Sequence, residues 1–139
     1  GDAPAIVDLM GGQITIALPT TLAGVTHVKN GKLRALAVTS QKRIASLPDV
    51  PTVDEALGIS GFEAVSWGGF MVPTGTPADV VAKINAATNN ALQMPDVRTK
   101  LMALGAEIAG GTPEAFGTFL KNELTKWKQV AKGAKVRLD

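Results

Sequence analysis

The sequence predicts an α/β fold, because helical and strand-like hydrophobic patterns alternate along residues 1–40. Apolar residues recur at helical spacing in residues 2–10, alternate in residues 13–18 and fill residues 33–39 almost completely. A strand that is apolar on both faces is typical of a sheet covered by helices. From residue 77 onward the pattern is mainly that of amphipathic helices. We therefore expect a mixed sheet flanked by helices.

The first predicted helix covers residues 2–10, with Asp2 at its start and Gly11 after its end. A strand follows over residues 13–18, where two isoleucines and a leucine alternate with other residues. Pro19 ends this strand. A second helix is then expected, because the hydroxyl of either Thr20 or Thr21 can accept a hydrogen bond from the first backbone N–H groups of a helix.

The middle of the chain is predicted to be a loop, a short helix and an extended segment. Residues 40–51 are polar and contain two prolines, which indicates a surface loop. Thr52 and Glu55 have the spacing of a capping box and predict a brief helix. Residues 62–72 read as extended, with a bend at Gly68 and Gly69.

The last part of the chain is predicted to contain three helices. They begin at Thr76–Pro77, at Pro95 and at Thr112–Pro113, where a threonine cap or a proline in the first turn favours a helix start. A short strand is expected over residues 106–109. The last helix carries an apolar stripe that includes Trp127, which we expect to be buried in the core.

The composition excludes several classes of protein. Fourteen Lys and Arg residues against twelve Asp and Glu leave a net charge of +2, and only 4% of the residues are aromatic, so we expect no nucleic-acid partner. The absence of cysteine excludes a disulfide scaffold and suits either cytoplasm or periplasm. No apolar run approaches the ~20 residues that a membrane-spanning helix needs.

The sequence contains no recognisable catalytic, metal or cofactor motif. A transition-metal site needs clustered His, Cys or carboxylate ligands, and His27 stands alone. There is no G-x-S-x-G elbow for a serine nucleophile, and residues 73–77 lack the spacing and the lysine of a phosphate-binding loop. We therefore expect no catalytic residue, no metal and no cofactor.

Three segments could bind a ligand through backbone groups. The helix starts at residues 1–5 and 19–21 offer N–H groups that lack partners within a helix, and such groups bind carboxylates. In the segment from Ser66 to Gly69, glycine allows close approach to the backbone and Trp67 could form the wall of a small pocket. Each segment taken alone is equally well explained as a turn or a cap.

Several short motifs occur in a fixed order along nearly the whole chain. They are Gly1–Gln13 with its GGQ end, Gly31–Ser40, Leu47–Val53, Ser66–Trp67, Val72–Pro77, Leu104–Glu107 and Gly110–Glu114. Together these motifs resemble the Bug family, the periplasmic solute receptors of tripartite tricarboxylate transporters. No single motif is diagnostic, and it is their joint occurrence in order that carries the resemblance.

The resemblance implies a fold and a division of the chain. Bug proteins have the two-lobed, type II periplasmic-binding-protein fold and are about twice as long, so this chain looks like a C-terminal half. By analogy, residues 1–65 belong to the second, ligand-binding lobe. Residues 66–72 then cross over, and residues 73–139 complete the C-terminal part of the first lobe.

The resemblance also implies a function. Family members bind a small organic carboxylate in the cleft between their lobes and deliver it to the membrane subunits of the transporter. The further partner of this chain would be the missing N-terminal half or a second copy, and its location the periplasm. The candidate ligand-binding residues are Gly1, Ala3, Pro4, Ala5, Pro19, Thr20, Thr21, Ser66, Trp67 and Gly68.

The sequence departs from the family pattern at one pair of residues, and this difference affects which ligands the site favours. Many relatives have an Asp-Asn-like pair where this chain has Pro19 and Thr20, so an acidic contact to an amine is missing from that loop. Amine-bearing ligands are therefore less favoured. Two alternatives stay open: an α/β enzyme or regulatory domain whose catalytic residues another chain donates, and a folding fragment that binds nothing by itself.

Overall fold

The computed structural model describes residues 1–136, which form two compact units. The first unit comprises Gly1–Met71 together with Met94–Ile108, and the second comprises Val72–Gln93 together with residues 109–136. The boundary after Met71 lies within the predicted crossover, residues 66–72, whereas Met94–Ile108 joins the first unit. The assignment of residues 1–65 and 73–139 to two lobes stays a prediction, and residues 137–139 lie outside the described residues.

Six α-helices occur within residues 1–136, in the positions that the hydrophobic pattern predicts. They are α1 (Asp2–Met10), α2 (Thr21–Lys29), α3 (Val53–Leu57), α4 (Ala78–Gln93), α5 (Pro95–Ala103) and α6 (Pro113–Gly133). None of these helices has the length and apolar composition needed to cross a membrane.

Local capping explains where two of these helices begin. The backbone N–H of Glu55 donates to Thr52 Oγ1 over 3.1 Å, and the N–H of Thr52 donates to Glu55 Oε2 over 2.9 Å. The predicted capping box of α3 is therefore confirmed, and α3 ends at Gly58 with a φ of 64°. At the start of α6, Thr112 accepts a hydrogen bond from the N–H of Ala115, as the sequence predicts.

The predicted mixed sheet does not form within the part of the chain that the structure describes. A sheet requires strands paired by ladders of backbone hydrogen bonds, whereas residues 1–136 contain one isolated parallel bridge, between Val38 and Thr52. A strand is stable only when a neighbour accepts and donates its backbone hydrogen bonds, and hydrophobic alternation does not supply that neighbour. In the predicted strand over residues 13–18, Ile16 and Leu18 are accordingly 65% and 84% exposed.

The apolar core of the first unit is small. The apolar side chains buried within residues 1–136 are those of Ile6, Val25 and Ile44. Ile6 lies on α1 and Val25 on α2, two helices that pack against each other. Gly24 on α2 is buried too, where a side chain would meet the ring of Pro19. The first unit is thus organised around the contact between α1 and α2.

The expectation that Trp127 is buried in the core is wrong. Its side chain is 42% exposed, and Leu124 and Val130 on the same helix are also exposed. An apolar stripe is buried only where another element covers it. The buried residue on α6 is Glu123. Its carboxylate accepts a hydrogen bond from the indole Nε1 of Trp127 over 2.9 Å and forms an ion pair with Lys126.

Two asparagines on α4 hold the loop that precedes α6 in the second unit. Asn89 Oδ1 accepts the backbone N–H of Gly111 over 2.9 Å, and Asn89 Nδ2 donates to the carbonyl of Gly111 over 2.9 Å. Asn85 Nδ2 donates to the same carbonyl over 2.8 Å. Gly110 has a φ of 70°, and a Cβ there would lie 2.7 Å from Asn89 Oδ1. The close approach therefore requires glycine.

We expect Asn89→Ala to lower the free energy of unfolding by about 1–2 kcal/mol, because it removes two of the three hydrogen bonds between α4 and the backbone of Gly111. The neighbouring Asn90→Ala is the matched control, since Asn90 is exposed and makes no side-chain hydrogen bond within residues 1–136. Urea unfolding of both variants measures the difference. Equal stability of the two would show that this loop is not held by Asn89.

Candidate functional site

The carboxylate of Asp2 joins the start of α1 to the start of α2. Asp2 Oδ2 accepts two hydrogen bonds from Thr20, one from the backbone N–H over 3.0 Å and one from Oγ1 over 2.7 Å. The structure thereby brings together two groups of predicted site residues that are far apart in sequence: residues 1–5 and residues 19–21.

The local sequence explains why the chain takes this form. Asp2 lies in the first turn of α1, where a negative charge is favoured by the partial positive charge of the helix end. Pro4 in the same turn has no N–H to satisfy. Thr20 is the N-cap of α2, and its carbonyl accepts the N–H groups of Ala23 and Gly24, both over 3.0 Å. Its hydroxyl accepts no capping hydrogen bond from α2 and instead donates its proton to Asp2.

These hydrogen bonds also favour the ionised form of the Asp2 carboxylate. The hydroxyl of Thr20 and then its backbone N–H lower the pKa of Asp2 below the ordinary value for aspartate. The pair therefore carries a full negative charge at neutral pH. A ligand carboxylate beside it would need hydrogen-bond donors that Asp2 does not occupy.

The first turn of α2 retains such donors. The backbone N–H groups of Thr21 and Leu22 have no acceptor within residues 1–136. Donors of this kind, at the positive end of a helix, can bind one carboxylate through its two oxygens. Thr21 adds a hydroxyl at the same position.

A glycine in the loop after α5 lies against the side chain of Thr21. Gly105 has a φ of 81°, and a Cβ at this position would overlap the methyl group of Thr21 and approach Ser46 Oγ to 3.0 Å. A larger residue there would require the side chain of Thr21 to move. The motif that contains Gly105 does not reveal this contact, because the contact joins residues far apart along the chain.

The third predicted segment, Ser66 to Gly68, is exposed. Trp67 is 40% exposed, and nothing lies within 4 Å of a Cβ built on Gly68. Within residues 1–136, no hydrogen bond joins Ser66 or Gly68 to Asp2 or Thr20. The role of this segment in binding stays a prediction.

An aspartate that the sequence analysis did not single out anchors the chain ahead of this segment. Asp54 Oδ2 accepts the N–H of Gly61 over 2.7 Å, and Asp54 Oδ1 accepts the N–H of Phe62 over 3.0 Å. The N–H of Ala64 then donates to the carbonyl of Thr39 over 3.0 Å. The sequence signal for this contact is Asp54 followed at short spacing by two glycines, Gly58 and Gly61.

The described residues hold no cluster that suits a metal ion. Within residues 1–136, no group of three or more His, Cys, Asp and Glu side chains lies close enough together to ligate one. The chemistry that this site offers is hydrogen bonding by backbone N–H groups and hydroxyls.

Comparison with known proteins shows a family that covers nearly the whole chain. Residues 1–136 match the family model described as the tripartite tricarboxylate transporter family receptor. A UPF0065 protein of the tcbD-tcbE intergenic region in Pseudomonas sp. (strain P51) is 38% identical over 94% of this chain. Protein BugT of Bordetella pertussis is 36% identical over 99% of this chain. The chain spans 39% and 42% of these two relatives.

Solved structures share the fold of the chain. The structure titled R. palustris Rpa4515 with adipate superposes on 97% of this chain with a TM-score of 0.88 and 34% identity, and 45% of that protein is covered. MatC from Rhodopseudomonas palustris with bound malate superposes on 94% of the chain with a TM-score of 0.84 and 35% identity, again over 45% of its length. The structure titled as that of periplasmic binding protein BugD superposes on 99% of the chain with a TM-score of 0.88 and 37% identity, over 46% of its own length, so a periplasmic binding protein shares the fold described above.

We expect the hydrogen bonds on Asp2 to make stability depend on pH in the acidic range. Because the pKa of Asp2 is lowered in the folded state, its contribution is present above the ordinary pKa of aspartate and is lost as the pH falls through the lowered value. Asp2→Asn should reduce this acid-dependent loss.

Urea unfolding across the acidic range measures the effect, with Asp8→Asn as control. Asp8 is exposed on the same helix, and its carboxylate makes no hydrogen bond or ion pair within residues 1–136. Identical pH profiles for the two variants would contradict the role of the bonds between Asp2 and Thr20.

Proposed function

This chain belongs to the tripartite tricarboxylate transporter receptor family, and from that premise we propose that it is half of a periplasmic receptor for a small organic carboxylate. The receptor binds its ligand in the cleft between two lobes and delivers it to the membrane subunits of a tripartite transporter. By its resemblance to the family, this chain is the C-terminal half. Residues 1–65 belong to the second lobe, residues 66–72 cross over, and residues 73–139 complete the first lobe.

The observation that carries this proposal is the pair of helix starts joined by Asp2 and Thr20. The pair holds the first turn of α2 in place and leaves the N–H groups of Thr21 and Leu22 without an acceptor. Adipate and malate, the ligands in the titles of two similar structures, are both dicarboxylates. A carboxylate is the ligand that such donors favour.

The remaining part of the receptor completes the sheet. Large apolar side chains in the predicted strands are exposed within this chain, among them Leu18 at 84% and Leu36 at 59%. Exposed apolar area of this extent favours association with a complementary surface. The N-terminal half pairs with these segments and forms the expected mixed sheet, and a second copy of the chain is the alternative partner for the same edges.

Binding requires no chemical turnover, so the receptor is not an enzyme. At the start of α2 its ligand contacts are the backbone N–H groups of Thr21 and Leu22 and the hydroxyl of Thr21. The start of α1 at residues 1–5 contributes further contacts, as do Ser66, Trp67 and Gly68 from the crossover. When the lobes close, the indole of Trp67 covers the apolar part of the ligand.

Ligand-induced stabilisation of the intact receptor tests the proposal. Adipate, malate, succinate and citrate are added one at a time, and adipamide serves as the uncharged control. At a hundredfold excess over its Kd, a ligand should raise the free energy of unfolding by about 2.7 kcal/mol, and the melting temperature should rise with it. If none of the carboxylates stabilises the receptor more than adipamide does, the proposed function is wrong.

We expect Trp67→Ala to weaken binding of the stabilising carboxylate by about tenfold, because it removes an aromatic surface from the ligand. Phe62→Ala is the matched control, since both aromatic side chains are 40% exposed and lie on the same segment. Calorimetric titration of the intact receptor compares the two variants. An unchanged affinity in Trp67→Ala would remove Trp67 from the site.

A further inference from the structure

The positive charge of the chain is concentrated in its second unit. Within residues 1–136, the second unit carries six lysines and three acidic residues, a net side-chain charge of +3. The first unit carries seven basic and eight acidic residues, a net side-chain charge of −1. A charge difference of this kind between parts of a chain affects how the protein associates with charged partners.

Three exposed lysines of the second unit form one line along α6, which we call the lysine stripe: Lys121, Lys128 and Lys132. They are spaced by seven and then four residues, so their side chains leave the helix on one face, over ~16 Å of its length. Within residues 1–136, none of the three forms an ion pair or a side-chain hydrogen bond.

The acidic residues of the second unit do not neutralise the lysine stripe. Asp79 pairs with Lys83 at 3.4 Å, and Glu123 pairs with Lys126 at 3.3 Å. The third acidic residue, Glu114, lies two turns before the stripe. That is ~10 Å along the helix axis, which equals about one Debye length at 0.1 M salt. The stripe therefore keeps its positive charge.

The spacing of the lysine stripe differs from that of an ordinary solvated helix face. Such a face usually places an acidic residue three or four positions from a lysine, which stabilises the helix. None of the three lysines has an acidic residue at these positions, and Lys128 has Lys132 four positions away. Like charges at this spacing destabilise a helix. The helix dipole favours a cation in the last turn, which explains Lys132 but not Lys121.

The lysine stripe stays free when the apolar side of α6 is covered. Because an α-helix has 3.6 residues per turn, Phe119, Glu123 and Val130 lie on the side of α6 opposite the stripe. Glu123 is buried, whereas Phe119 and Val130 are 37% and 50% exposed. The remaining part of the receptor can therefore pack on that side without contacting the lysines.

We propose that the lysine stripe docks an acidic segment of the transporter's membrane subunits, an inference that rests on the proposed receptor function. Three ammonium groups in a line are complementary to carboxylates spaced along such a segment. Lysine is a hydrated point charge on a flexible stem, so the contact is steered by charge and is weakened by salt. A contact of this kind suits a receptor that binds and leaves its transporter at each delivery.

A lipid surface fits the lysine stripe less well than an acidic protein segment does. A helix that binds a membrane surface buries its apolar face in the lipid and keeps its charged face toward water. In α6 a lipid surface that contacted the stripe would not reach Phe119 or Val130 on the opposite side. The charge of the stripe would then act without apolar insertion, which gives weak membrane binding.

Binding of the intact receptor to the membrane subunits in phosphatidylcholine nanodiscs tests the proposal. Lys121→Glu combined with Lys128→Glu should weaken this binding by about tenfold or more. Lys32→Glu combined with Lys42→Glu is the matched control, because both lysines are exposed in the first unit and form no ion pair within residues 1–136. This control changes the net charge equally and should bind like the wild type. Added salt should weaken binding of the wild type more than that of the stripe variant.

Urea unfolding of the same variants separates docking from stability. Lys128→Glu places a carboxylate four residues before Lys132, the favourable order for an ion pair on a helix, so the stripe variant should be as stable as the wild type. Lys121→Arg combined with Lys128→Arg keeps the charge and should keep the binding. Loss of binding in this arginine variant, with its stability unchanged, would contradict docking by charge.

Ligand-induced stabilisation of the same proteins keeps the docking proposal apart from the proposed function. If carboxylates stabilise the receptor but the stripe and control variants bind the nanodiscs equally, the docking surface is wrong and the receptor function stands. If no carboxylate stabilises the receptor, the receptor function is wrong, whatever the nanodiscs show. Equally tight binding of the wild type to empty nanodiscs that contain phosphatidylglycerol would assign the stripe to lipid and overturn the proposal.

Discussion

The arrangement of the first unit depends on one carboxylate. Asp2 accepts both the hydroxyl and the backbone N–H of Thr20, and this places the start of α1 beside the start of α2. The packing of the two helices around Ile6 and Val25 follows from that placement. Because the bonds occupy Thr20, the donors left for an anion are those of the next two residues. The same charge that organises the helices therefore also limits where a ligand carboxylate can bind.

The helices and the predicted strands behave differently for a simple physical reason. A helix satisfies its interior hydrogen bonds within one segment and needs help only at its ends, where Thr52 and Thr112 supply it. A strand satisfies none of its hydrogen bonds alone. All six helices consequently form within residues 1–136, whereas pairing is limited to the bridge between Val38 and Thr52.

The sequence by itself determined the helices, the side-chain caps of α3 and α6 and the family, because periodicity, capping residues and motif order are local properties of the chain. It also singled out the residues at both helix starts. Only the tertiary structure decided that Asp2 binds Thr20 and that Asn89 holds Gly111. Each of these contacts joins residues far apart along the chain, and no spacing rule encodes it. The exposure of Trp127 was decided in the same way, because a periodic stripe shows which face could be buried but not whether another element covers it.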